Sequence, residues 1–127
     1  MKHLASPMTH QRILGWHWLV DMYDCERLPT EPHVLEAILI AAAEMAGATV
    51  VQSCFHRFSP IGLSGVVVIA ESHLAAHTWP EFNTMCVDLF SCSQKINAQI
   101  AIDQIAKEVG ALNCHSRMEL RARLPHD

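Results

Sequence analysis

Apolar residues alternate with their neighbours over positions 13–23, with Leu14, Trp16, Trp18 and Val20 on one face, and this period of two predicts a strand. Thr30 then offers a helix N-cap, and Pro32 suits a first helical turn because its missing N–H would be unpaired there anyway. Val34, Leu35, Ile38, Leu39, Ala42 and Met45 recur at helical spacing, so a helix is expected over 31–46, ended by Gly47. A second strand is expected over 48–58, followed by a turn at Pro60 and Gly62. The continuous apolar run 66–70 predicts a third strand, buried on both faces or set in a hairpin core. The stretch 71–83 reads as irregular and polar, broken by Pro80. Over 85–92, Met85, Val87 and Leu89 alternate with Cys86, Asp88 and Phe90, which predicts a fourth strand. A second amphipathic helix is expected over 96–109, closed by Gly110, and the tail 113–124 reads as a last edge strand. The first eleven residues read as a loose leader.

Strands joined by short turns imply antiparallel pairing, with the helices packed on one face. The expected class is therefore α+β: an antiparallel β-sheet with helices on one face, a two-layer sandwich. Such a sheet leaves its other face to be buried, and pairing into a dimer is the natural solution for a short chain.

At 127 residues the chain is expected to form a single domain, and its 50% apolar content fits a folded core rather than a disordered segment. The formal charge of -4 with 9 Lys+Arg argues against nucleic acid as a partner; Arg117, Arg121 and Arg123 make only a small basic patch. No membrane span is expected, since the longest apolar run, 34–43, is short and contains Glu36. With no signal-like N-terminus either, the expected location is the cytoplasm. The five cysteines are odd in number and form no Cys-x-x-Cys pair, so they read as free thiols, mostly buried.

The polar stretch after the third strand concentrates the chemistry: Glu71, Ser72, His73, His77, Thr78, Trp79 and Glu81 fall within eleven positions. Polar residues massed at a strand end point to a site. Several chemistries compete for them. His73 and His77 are four apart, a metal-binding spacing on a helix, but Pro80 opposes a long helix and no metal is expected. Ser72 with His77 suggests a hydrolase, yet no Gly-x-Ser-x-Gly elbow surrounds the serine.

The run Phe55-His56-Arg57-Phe58, then Pro60 and Gly62, Ser64-Gly65-Val66-Val67-Val68-Ile69, Glu71-Ser72-His73-Leu74 and His77-Thr78-Trp79-Pro80-Glu81 resembles the prokaryotic S-adenosylmethionine decarboxylase proenzymes. The likeness extends to Asp88-Leu89-Phe90 and Cys92, and back to Gly15, His17 and Gly47-Ala48. This resemblance implies self-cleavage between Glu71 and Ser72 into chains 1–71 and 72–127, with Ser72 converted to a pyruvoyl group. It implies that Ser72 attacks the Glu71 carbonyl, that Ser64 assists near that carbonyl, and that His77 removes the Cα proton. The pyruvoyl ketone would then form a Schiff base with the substrate amine and accept the electrons released with carbon dioxide. The family's proton donor falls on Cys92; a thiol with a reference pKa of about 8.5 is mostly protonated at neutral pH. Glu81 falls on a carboxylate that holds ribose hydroxyls, Phe58 on an aromatic that stacks on adenine, and Trp79 beside it in the same pocket. Core packing is the competing reading of Phe58, Trp79 and Cys92.

The substrate so implied is S-adenosylmethionine, decarboxylated for spermidine synthesis by a homodimer of cleaved protomers. Two departures flank the pocket. Phe82-Asn83-Thr84 stands where the family carries Gly and an aromatic, and Ser93-Gln94-Lys95 replaces a longer acidic loop. They keep two alternatives in view: the same pyruvoyl chemistry on free arginine or ornithine, and a binding domain of this fold that does not process.

Overall fold

The computed structural model describes residues 11–125, so the expected leader lies outside the described residues except for Gln11, where the first strand begins. β1 (Gln11–Cys25) is followed by α1 (Pro32–Met45), then by β2 (Val50–Arg57), β3 (Leu63–Ile69), β4 (Ser72–Trp79) and β5 (Thr84–Ser91). α2 (Ala98–Val109) and β6 (Ala111–Pro125) complete the chain. All neighbouring strands pair antiparallel in one sheet of order β2-β3-β4-β5-β1-β6. α1 packs on β2, β3 and β4, and α2 packs on α1, β1 and β6, giving the expected α+β sandwich with helices on one face.

The period-two pattern explains both faces of the sheet. Val20 and Met22 of β1, Leu63, Val67 and Ile69 of β3, and Met85, Val87 and Leu89 of β5 are buried under the helices. Burying each such side chain is worth about 1.5–3 kcal/mol. The run in β3 is a hairpin core: Ser64, Val66 and Val68 face the opposite side and are half-buried. That opposite side, which no helix of the described residues covers, is called the open face below.

One expectation is corrected in kind. The stretch 71–83 is not irregular; β4 occupies most of it. Leu74, Ala76 and Thr78 point into the core while His73, Ala75 and His77 line the open face, so polar density on alternate positions concealed a strand. The buried Thr78 hydroxyl oxygen accepts from the Leu63 N–H at 2.9 Å, which satisfies a polar group inside the core. Pro80 then ends the strand in a 3-10 turn, Pro80–Phe82, that exits through Asn83 at φ 49°.

Smaller corrections follow from local chemistry. The N-cap of α1 is Glu31 rather than Thr30, with no side-chain cap bond; the Glu31 carboxylate instead pairs with Arg57. Leu35, Leu39, Ala42, Ala43 and Ala46 form the buried stripe, while Val34 and Met45 are exposed. α2 starts two residues later than expected because Asn97 is its N-cap, accepting from the Ile100 N–H at 3.2 Å, and Gly110 closes it at φ 65°. The cysteines are free thiols, but only Cys25 is buried; Cys54, Cys92 and Cys114 are exposed. No helix of the described residues is long and apolar enough to cross a membrane.

Candidate active site

The expected site residues fall into two groups at opposite ends of β4. At its start, Ala70 and Glu71 form the tight turn from β3, and Ser72 is the first strand residue. The Glu71 carbonyl accepts from the Cys92 backbone N–H at 2.9 Å, so the amide that follows the end of β5 grips the peptide joining Glu71 to Ser72. The Glu71 carboxylate accepts from the Thr49 N–H at 3.2 Å, and the Ala70 N–H donates to the Thr49 carbonyl at 2.8 Å. Ser72 has φ 156°, at the margin of the positive-φ region that side-chain-bearing residues rarely adopt. Cys92 is held by its own turn: the Ser93 N–H donates to Ser91 Oγ at 2.9 Å, and Ser91 Oγ–H donates to the Ser93 carbonyl at 2.7 Å. The Cys92 side chain is exposed.

At the other end of β4, Ser64 and His77 are register partners, with Ser64 Oγ 2.8 Å from His77 Nδ1. A cavity of about 250 Å³ opens beside them, and Phe58, Trp79 and Glu81 line it together with the turn at Gly62. Phe58 is 47% and Trp79 41% exposed, so neither is a core residue; both present ring surface to the cavity. The Phe58 N–H donates to the Gly62 carbonyl at 2.8 Å, which closes the hairpin that carries the ring. A second cavity of about 270 Å³ touches the same Ser64 and His77 from the open face, floored by Val66 and Ala75.

Within one protomer these groups do not meet. Ser72 and His77 are five residues apart on one strand, roughly 17 Å at about 3.3 Å per residue. An odd separation also sends the two side chains to opposite faces. The structure thus brings together Glu71, Ser72 and Cys92 at one end and Ser64, His77, Phe58, Trp79 and Glu81 at the other. His73 and His77 share the open face, but among the described residues no three His, Cys, Asp or Glu side chains gather into a metal site.

The electrostatics differ between the ends. His73, next to Ser72, is held below the ordinary histidine range, first by burial and then by His17, with Asp88 opposing. Cys86, the register partner of His77, is pushed up to about 11 by burial and by its hydrogen bond to Asp21, so it stands as a protonated thiol. Two contributors to the Glu71 junction escaped the sequence reading: the Cys92 amide and Thr49. Both act through the backbone, which has no side-chain signature; the only hint for Thr49 is its place just after the helix-ending Gly47.

Comparison with known proteins bears on this arrangement. The family model described as S-adenosylmethionine decarboxylase matches residues 16–122. An S-adenosylmethionine decarboxylase proenzyme of Moorella thermoacetica is 42% identical over 106 residues, covering 83% of this chain and 85% of the relative. One from Thermotoga maritima is 42% identical over 103 residues, covering 80% and 79%. One from Pseudomonas aeruginosa is 41% identical over 107 residues; the match covers 84% of this chain and 65% of that longer relative. The crystal structure of the adenosylmethionine decarboxylase from Aquifex aeolicus VF5 superposes with a TM-score of 0.81 at 28% identity, over 91% of this chain and 97% of that one. A match over nearly the whole described sheet, by sequence and by fold, means that the chain belongs to the S-adenosylmethionine decarboxylase family.

Proposed function

We propose that the chain cuts itself between Glu71 and Ser72 and then decarboxylates S-adenosylmethionine, as a homodimer in which each copy completes the other's site. The observation that carries this reading is the grip of the Cys92 N–H on the Glu71 carbonyl, directly before a serine at an unfavourable φ. When Ser72 Oγ attacks that carbonyl carbon, negative charge develops on an oxygen already facing a donor. Collapse of the tetrahedral centre breaks the amide and leaves Glu71 esterified to Ser72 Oγ, with the Ser72 nitrogen free. Removal of the Ser72 Cα proton expels the Glu71 carboxylate and leaves a dehydroalanine. Addition of water with loss of ammonia then yields the pyruvoyl group. That group supplies a ketone that binds the substrate amine and draws off the electrons released with carbon dioxide.

His77 is the proposed base for the Cα proton, and its separation from Ser72 along β4 supports its coming from a second copy. A two-fold axis lying between two open faces and running across the strands near Ala75 reverses strand direction. It sets the Ser72 and Cys92 end of one copy over the Ser64 and His77 end of the other. Small side chains at Ala75 and Val66 leave room for that approach. For His77 Nε2 to take the proton, Nδ1 must carry one and donate it to Ser64 Oγ. Ser64 then sets the tautomer, and in that arrangement it is the proposed group beside the Glu71 carbonyl of the opposite chain. Phe58, Trp79 and Glu81 move with His77, so the nucleoside pocket belongs to the same donor copy. Aromatic faces suit both a purine and a sulfonium cation, and a carboxylate suits ribose hydroxyls. This favours S-adenosylmethionine over free arginine or ornithine. Five free thiols fit work in the reducing cytoplasm.

Denaturing mass spectrometry of purified protein, read with carbon dioxide release from S-adenosylmethionine, arginine and ornithine, tests the reading. The expected outcome is two fragments, 1–71 and 72–127, the second with a pyruvoyl N-terminus, and release from S-adenosylmethionine. An intact chain after long incubation would remove the self-cleavage, and release from a basic amino acid alone would reassign the pocket.

A further inference from the structure

Phe90 sits on the open face, where apolar side chains are not drawn in by the helices, yet its ring is held from several sides. A Cβ built on Gly15 would lie 2.5 Å from Phe90 Cζ and 2.6 Å from Cε1. The ring therefore occupies the space of the missing side chain and rests on the β1 backbone, which is the physical reason for a glycine inside a strand. The Arg121 guanidinium stands 5.7 Å from the ring centroid, a cation–π distance. The His17 ring meets it edge-on at 5.4 Å, and the His73 ring lies at 5.8 Å with a 32° tilt.

The histidines are themselves tied in. Arg121 Nη1 donates to His17 Nδ1 at 3.0 Å; a guanidinium has no acceptor, so Nδ1 is the unprotonated nitrogen. Burial holds His73 toward its neutral form as well. Arg121 is thus the one firm cation above the ring. An aliphatic side chain would fill the same hollow, but only an aromatic quadrupole uses a cation above and an imidazole edge beside.

The location turns this packing into a functional statement. Phe90 and His73 are register partners, and the next pair along the two strands is Ser91 with Ser72. Phe90 also pairs with His17 of β1, and Gly15 pairs with Arg121 of β6. One ring therefore binds four strands together at the end of the sheet where Glu71 carbonyl meets Cys92 N–H. We propose that Phe90 is a positioning residue for self-cleavage: it fixes β4 against β5 so that the Cys92 amide stays on the Glu71 carbonyl while Ser72 Oγ attacks. This rests on the self-cleavage reading above and adds a residue that acts on the breaking bond through the strands that carry it.

The experiment measures the first-order rate of chain cleavage, with hydroxylamine added to reveal any ester, in the full chain and in Phe90→Leu, Gly15→Ala, Arg121→Gln and Arg121→Lys. Phe90→Leu keeps apolar volume and loses the ring. It should slow cleavage by roughly 10–100-fold, the cost of a small misplacement at a reacting centre. Because the slowed step is the attack, no hydroxylamine-sensitive ester should build up. Gly15→Ala should act in the same direction by lifting the ring. Arg121→Gln should slow cleavage by roughly threefold to tenfold in the parent and not further in Phe90→Leu, since its partner is then gone. Arg121→Lys, which keeps a cation, should restore most of the rate. Arg121 is exposed, so the Gln and Lys pair carries the test even where Phe90→Leu does not fold. Parent-like cleavage of folded Phe90→Leu, ester accumulation in it, or an equal Arg121→Gln effect in both backgrounds would each overturn the proposal. Failure of the parent to cleave would instead overturn the self-cleavage reading itself.

Discussion

Cys92 offers two different groups to two different steps. Its backbone N–H donates to the Glu71 carbonyl, which the proposed cleavage uses, and its thiol is exposed, as the proposed proton donor of turnover must be. Cys92→Ala keeps the first and removes the second. Cleavage should therefore proceed at least in part, while carbon dioxide release from S-adenosylmethionine falls by roughly 10²–10⁴-fold, the usual share of a general acid. A misplaced proton would convert the pyruvoyl group to alanine, so mass spectrometry of the 72–127 fragment after exposure to substrate should show an N-terminal alanine. Parent-like turnover would return Cys92 to the role of a surface thiol. His77→Ala makes the complementary prediction. The ester should form and persist, and hydroxylamine should cut the chain at Ser72; normal pyruvoyl formation would mean another base. His73 carries a pH signature of its own. Its folded pKa lies below the unfolded value near 6.5, so the unfolded chain binds the proton more readily. Its contribution to stability is full above that value and is lost as pH falls through 6.5 toward the lower folded pKa. His73→Gln should flatten the decline in urea midpoint across that window; an unchanged decline would place the acid sensitivity elsewhere.

At the level of elements, β1, both helices and β5 were legible because each buries one face, and burial writes its period into the sequence; β6 buries no residue and was placed only as an edge strand. Leu35, Leu39 and Ile105 illustrate it. β4 was not legible. Its open face carries His73 and His77, and Pro80 follows closely, so the polar count masked the alternation of Leu74, Ala76 and Thr78. The candidate residues were identified through a dense motif, but their division between two ends of one strand depends on β4 being extended. Pairing also cannot be read from side chains when the partner is an amide, as with Cys92 and Thr49. The buried hydroxyl of Thr78 tests the element directly. Thr78→Val is close to isosteric but strands the Leu63 N–H in the core. Stability in urea should fall by about 1–3 kcal/mol. A loss near zero would mean that water or a shift of β3 satisfies that amide.

The whole molecule is where the two half-sites have to be reconciled. A single chain holds the Glu71 carbonyl on its own Cys92 amide, but His77, the proposed base, lies about 17 Å down the strand. The helix-free face between them carries half-buried Val66, Val68 and Leu19 beside Asp88 and His73, a mixed surface more suited to a partner than to water. If a second copy completes each site, chains defective in different halves should rescue one another. Ser72→Ala cannot be cut but still presents Ser64 and His77. His77→Ala can be cut but lacks its own base to lend. Each homodimer should stay unprocessed. In a mixed dimer one site carries both defects and the other carries neither, so the His77→Ala chain should be cleaved and the Ser72→Ala chain should remain whole. Co-refolding the two variants from denaturant, with one bearing a mass tag, gives the readout by mass spectrometry. Random pairing makes half of the dimers mixed, so about half of the His77→Ala chains should be cut. Cleavage of His77→Ala on its own, or none after mixing with proof that mixed dimers formed, would place the base within the same chain as the serine.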